Sequence, residues 1–165
     1  MNPTRGSWMI GGVVGVVGAL IAIAIGAVGV FVCCLGMLNW FLPALMGAVA
    51  GGLAASRVDW TEVPPGNGSS VGIGAGLRAG FVAATLTAVG ALVISLLNPI
   101  VLVLLQAVSA GSTEELVGAV IGALIGGAVG LAFGALIQLG SVIFGVMLGA
   151  GSGAIVGSSM GNQGS

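Results

Sequence analysis

The sequence predicts an all-α integral membrane protein: a compact bundle of four or five transmembrane helices packed through Gly-xxx-Gly ridges of the glycine-zipper type. Three observations predict it. Hydrophobic residues make up 58% of the 165 residues and charged ones only 4%, whereas a soluble domain is about 25% charged. So few polar groups cannot cover a surface that faces water. The charges stand in small groups separated by long apolar runs. Glycine, 33 residues in all, recurs at four-residue steps within those runs. Disorder would need a polar, charge-rich chain, and collagen would need glycine at every third residue.

The elements follow from the gaps between charges, because one helical span takes about 20 residues to cross the hydrocarbon. No charge falls between Arg5 and Arg57, which leaves room for two spans, 8–34 and 39–56. A turn is expected near 36–40, with Pro43 in the first turn of the second helix, where its missing N–H costs little. The run after Arg5 is too long for a signal-peptide hydrophobic region, so it reads as a retained span. Residues 57–70 form the only polar loop, with Pro64-Pro65 and Gly66-Asn67-Gly68 as turn signals.

The third span runs over 71–97 and is stopped or kinked at Asn98-Pro99. Residues 99–110 are too few to cross and read as an interfacial or re-entrant piece. Ser112 or Thr113 can cap the next helix, with Glu114 and Glu115 in its first turn favoured by the helix dipole. That helix spans 114–137. A hairpin turn at Gln138-Leu139-Gly140-Ser141 would lead to a fifth span, 142–157, and without that turn the count is four. The whole chain, 1–165, reads as one transmembrane domain. Strands of a membrane barrel would show polar alternation, which these runs lack.

The small-residue ridges are the most specific feature. Gly118, Gly122, Gly126, Gly130 and Gly134 form one row. Gly145, Gly149, Gly153 and Gly157 form a second, and Gly72, Gly76 and Gly80 a third. Lipid tails are as apolar as leucine, so helices associate in a membrane by close backbone approach, which glycine permits. Each glycine also weakens an isolated helix by about 1 kcal/mol against alanine, so such rows need packing in return. Either the rows hold one bundle together, or some of them face other chains.

Weaker echoes suggest that the first hairpin recurs as the last: Gly26-Ala27-Val28-Gly29 against Gly127-Ala128-Val129-Gly130, and Gly47–Ser56 against Gly149–Ser158. With a single span between them the two hairpins would be inverted, as in some transporters.

Chemistry-bearing residues are few. The chain has no His, Lys or Tyr. That removes histidine-ligated metals, pigments and general bases, and lysine Schiff bases and phosphate loops. Cys33 and Cys34 are adjacent, with no further Cys or His to complete a metal site. They read as inert core thiols or as acylation sites near the membrane face. Arg78 falls about two turns inside the third span. It is expected either to snorkel to the interface beside Asp59 or Glu62, or to meet an anion or lipid headgroup.

No carboxylate lies at mid-membrane depth. The amides Asn39, Asn98, Gln106 and Gln138 fall near expected turns or helix ends, as do Trp8, Trp40 and Trp60, which suits interfacial aromatics. No catalytic residue, cofactor site or metal site is expected, and a net charge of −1 gives no field to draw nucleic acid.

Function is therefore expected to be non-enzymatic: a structural or accessory subunit of a membrane, a homo-oligomer or a partner of other membrane subunits in the lipid bilayer. The alternative is a small channel or transporter of inverted hairpins. The arginines place the N-terminus and the 57–70 loop on the cytoplasmic side, in the cytoplasmic (inner) membrane.

Overall fold

The computed structural model describes residues 3–29, 33–109 and 111–161. Among them the chain forms four α-helices: α1 (Pro3–Gly29), α2 (Cys33–Ser56), α3 (Gly68–Ser109) and α4 (Thr113–Gly161). All four are long and apolar enough to cross a membrane. Helix is the open choice for such runs, since a backbone without water must bond to itself. The side chains of Cys33 and Cys34 lie outside the described residues.

The buried apolar residues are nearly all alanines, among them Ala22, Ala50, Ala79, Ala83 and Ala91, while Leu, Ile, Val and Phe side chains cover the outside of the bundle. A soluble protein has the opposite arrangement. An outer surface of large apolar side chains over a core of small ones suits helices surrounded by lipid.

Close-contact pairs give the directions of the helices. Gly11 meets Ala79, Gly15 meets Ala83, and Gly18 meets Thr87, so α1 and α3 are parallel. Gly47 meets Gly145 and Gly51 meets Gly149, so α2 and α4 are parallel. Gly68, Gly72 and Gly76 meet Gly157, Gly153 and Gly149 in turn, so α3 and α4 are antiparallel. The bundle is thus up-down-up-down, with α1 and α4 each packed against both α2 and α3.

Several expected boundaries need correction. No turn interrupts 36–40; α1 ends at Gly29 and α2 already begins at Cys33. Pro43 is therefore interior to α2 rather than in its first turn. The expected stop at Asn98-Pro99 is absent too. The expected interfacial piece 99–110 is, through Ser109, the C-terminal part of one 42-residue helix, about 63 Å long at 1.5 Å per residue. A proline inside a membrane helix removes one backbone bond, which neighbouring groups can make good.

The hairpin at Gln138–Ser141 does not form either. Helix α4 passes through it and runs for 49 residues, so the segment holds four helices where five spans were possible. Nothing in Gln-Leu-Gly-Ser withdraws a backbone donor, and one glycine alone does not end a helix whose neighbours hold it. Without that turn the first hairpin has no counterpart at the C-terminus, and the inverted repeat is not formed.

Two connections are built from local chemistry. After α2, Asp59 caps a single 3-10 turn, Trp60–Glu62, by accepting from the Thr61 N–H. Asn67 N–H then bonds to the Pro64 carbonyl at 3.1 Å, with Pro65 second and Gly66 third in the turn. Gly66 has φ +86°, the value a type II turn requires at that place and one that glycine adopts without strain. Before α4, the Ser112 hydroxyl accepts the Glu115 N–H at 3.3 Å, and the Glu115 carboxylate accepts the Gly111 N–H at 3.0 Å. This is a reciprocal cap of the S-x-x-E kind.

Candidate functional site: a polar chamber between four helices

Pro43 starts the construction of the site. Having no N–H, it withholds the bond that the Asn39 carbonyl, four residues earlier, would otherwise receive within α2. Gln138 of α4 supplies it instead: its Nε2 donates to the Asn39 carbonyl at 3.2 Å. The Asn39 side chain reaches the other way, its Nδ2 donating to the Ala22 carbonyl of α1 at 2.9 Å. That approach passes over Gly26, where a Cβ would stand 3.1 Å from Asn39 Nδ2 and 2.5 Å from Ile94. One amide pair thereby links α1, α2 and α4.

Both amide nitrogens face backbone carbonyls, which only accept, so the amide oxygens are the free ends. Asn39 and Gln138 are 6% and 5% exposed, and neither Asn39 Oδ1 nor Gln138 Oε1 has a protein partner. They line a chamber of about 100 Å³, together with Gly29, Ser95, Asn98 and Gly134. Every helix of the bundle contributes to its wall.

Helix α3 repeats the device seen in α2. Pro99 follows Ser95 by four residues and has no N–H for its carbonyl. The Ser95 hydroxyl donates to the Ala91 carbonyl at 2.8 Å, which leaves only its lone pairs for the chamber. Two further hydroxyls, Thr85 and Ser141, are buried without a protein partner; Ser141 lies about one helical turn along α4 from Gln138. The chamber contains no charged residue, and the groups left unpartnered in its wall, Asn39 Oδ1 and Gln138 Oε1, are hydrogen-bond acceptors.

A second recess lies near the polar loop, between α1 and the end of α2. It is a groove of about 510 Å³ walled by Ile10, Val13, Val14, Leu53 and Val58, with Arg57 its one charged residue. Comparison with known families, curated proteins and solved structures gives no match. The chemistry of the chain is therefore read from its own residues.

The glycines singled out in the sequence divide into two sets. A Cβ on Gly72, Gly76, Gly145, Gly149, Gly153 or Gly157 would run into backbone of a neighbouring helix. At Gly80 the neighbouring backbone stands at 3.2 Å. At Gly118, Gly122, Gly126, Gly130 and Gly134 a Cβ would meet nothing within 4 Å. The same helix therefore carries one row turned inward and another, Gly118 to Gly130, that is exposed, with Gly134 at the chamber wall.

Of the charged candidates, Asp59 accepts from the Thr61 hydroxyl at 2.6 Å and the Thr61 N–H at 3.2 Å. Those bonds, the hydroxyl first, hold its carboxyl below its usual value. Arg78 is exposed on α3 and Glu62 is exposed in the short turn.

Sequence reasoning missed the chamber. Asn39, Asn98 and Gln138 were read as markers of turns, whereas they meet inside the bundle; Gln106 alone of the four amides is exposed. The usable signal was the spacing of a polar residue four places before each intrahelical proline, Asn39 before Pro43 and Ser95 before Pro99.

Proposed function

We propose that this chain is a non-enzymatic, multi-span membrane subunit. In this reading glycine-zipper packing holds its own helices together, and a second ridge docks on another apolar helix, either of a second copy or of a larger membrane assembly. The support is the open row Gly118, Gly122, Gly126 and Gly130 on α4, where an added Cβ would meet no atom of a neighbouring described helix within 4 Å. Exposed glycines in a membrane helix weaken it without return unless another backbone approaches them. Non-enzymatic function is favoured by a sequence without His or Lys. A cytoplasmic N-terminus in an inner membrane is favoured by Arg57 and Arg78, which lie toward the polar-loop end of the bundle, with Glu114 and Glu115 at the other end.

Native mass determination after gentle detergent extraction from the membrane tests this reading. A homo-oligomer, or a fixed-ratio complex with other membrane proteins, is expected. Gly122→Leu with Gly126→Leu should reduce it to a folded monomer. A wild-type chain that extracts as a bare monomer would remove the open row's role in assembly.

The polar chamber favours a second reading, a small channel or transporter. It would require the acceptor groups to continue as a lumen. Solute flux into liposomes containing the purified protein distinguishes it from the first.

A further inference from the structure

We infer that the chamber bounded by Asn39, Gln138, Ser95 and Asn98 is a binding site for a small neutral hydrogen-bond donor, and that its occupant is a cluster of water molecules. The inference is independent of how the protein assembles.

The donor–acceptor balance comes first. Asn39 and Gln138 each turn the amide nitrogen to a backbone carbonyl, of Ala22 and of Asn39 respectively, which fixes the amide oxygen as the opposite end. What remains on each is an amide oxygen without a protein partner, on a side chain more than nine-tenths buried. Ser95 has spent its hydroxyl proton on Ala91. Pro99 withholds a donor from the Ser95 carbonyl. The groups left without a partner are acceptors, Asn39 Oδ1 and Gln138 Oε1, so an occupant that satisfies them must bring hydrogens. An anion, or a solute with only carbonyl or ether oxygens, would leave the two orphaned amide oxygens unsatisfied.

Charge and size narrow the choice. A desolvated cation needs compensation from opposite charge or a full shell of oxygens. No carboxylate lines the chamber, and the four carboxylates of the chain sit at Asp59, Glu62, Glu114 and Glu115, in the polar loop and at the start of α4. The volume of about 100 Å³ accommodates a few waters at roughly 30 Å³ each, the donor that surrounds every membrane protein. Water also has the two to four polar partners that an ordered buried molecule requires.

The same placement explains why α2 and α3 both keep a proline in mid-helix. Each proline frees a carbonyl toward one locality. In α2 the freed carbonyl is taken by Gln138, and that bond turns the Gln138 oxygen into a free acceptor.

Water-edited solid-state NMR on the wild-type protein in lipid bilayers tests the assignment. The side-chain amide signals of Asn39 and Gln138 should receive magnetisation from water at a rate within about three-fold of the loop residue Asn67, with buried Ala50 as the dry control. Asn39 and Gln138 as dry as Ala50, in a sample where Asn67 is wet, would overturn the proposal. The second arm replaces choline by sodium, potassium or ammonium at constant ionic strength. Unchanged Asn39 and Gln138 shifts are expected; a saturable shift with any one ion would overturn the neutral occupant and assign a cation. A Gln138→Met variant should lower the transfer at Asn39 at least two-fold while leaving Asn67 unchanged. Unaltered transfer at Asn39 in a folded variant would also count against the site.

Discussion

Gln138 donates from its side chain to the Asn39 backbone carbonyl, which Pro43 leaves without its helical donor. The bond joins α4 to α2 across 99 residues of sequence, and its strength depends on a proline four residues from the acceptor. Gln138→Leu should therefore destabilise the folded protein in micelles by about 1 kcal/mol, within the range of interhelical hydrogen bonds in membranes. In a Pro43→Ala background the new N–H of residue 43 satisfies Asn39, and the same substitution should cost about half as much or less. Reversible unfolding in mixed micelles, run as a double-mutant cycle, measures the coupling. Equal costs in both backgrounds would remove the link between the proline and the amide.

Gly149 sits at a three-helix junction of the bundle. A Cβ there would lie 2.8 Å from the Gly47 carbonyl oxygen, 2.9 Å from that of Gly76 and 3.0 Å from Gly80 Cα. All three are backbone atoms, so no side chain can swing away. Gly149→Ala should destabilise the fold by about 1–3 kcal/mol, the usual cost of overpacking. Gly151, two residues on, would place a Cβ in open space, and Gly151→Ala should be neutral or stabilising by up to about 1 kcal/mol through helix propensity. Opposite effects of one methyl group at neighbouring positions in one helix are the expected result, read from unfolding midpoints of the two variants.

Such contrasts mark where the sequence was legible. Solvent and helical class follow from composition, because seven charges cannot dress a water-facing surface. The end of α2 at Ser56 was also readable, because Arg57 acts locally, whereas α3 begins at Gly68, inside the expected 57–70 loop. The interior breaks were not. Asn98-Pro99 and Gln138–Ser141 carry the residues of turns, yet α3 and α4 pass through both. In each case a neighbouring helix decides the outcome: Gln138 is held by α2, and Pro99 faces Gly127 of α4, where a Cβ would stand 3.0 Å from the proline ring. Tertiary contact overrides the local signal, and spacing within one segment cannot reveal it. The glycine rows were visible as rows, but which faced inward depends on the register of α3 against α4.

The polar loop should respond to acid through Asp59. Its carboxyl lies below its usual value of 3.8, chiefly because the Thr61 hydroxyl donates to it and secondly because the Thr61 N–H does. A depressed carboxyl stabilises the folded turn above its unfolded value, and that contribution is lost as pH falls through the folded one. The Asp59 carboxyl carbon should thus titrate below 3.8, and Thr61→Val should move the midpoint upward. Carbon-13 NMR of the labelled protein between pH 2 and about 6, spanning the carboxylate range, follows both. A midpoint at or above 3.8 in the wild type would show that the Thr61 bonds do not persist.

The α3–α4 turn distinguishes two candidate caps that sequence alone leaves equivalent. Ser112, not Thr113, accepts the Glu115 N–H, and Glu115 returns the bond to Gly111. Removing a serine cap costs about 1 kcal/mol, which corresponds to roughly five-fold faster local opening. Ser112→Ala should therefore accelerate hydrogen exchange of the Glu115 amide by about that factor, while Thr113→Ala leaves it unchanged. The effect should stay within the first turn, since α4 is anchored far downstream through Gly145, Gly149, Gly153 and Gly157. If Thr113→Ala speeds exchange and Ser112→Ala does not, the helix begins one residue later, and the reciprocal bond from Glu115 is not what holds the turn.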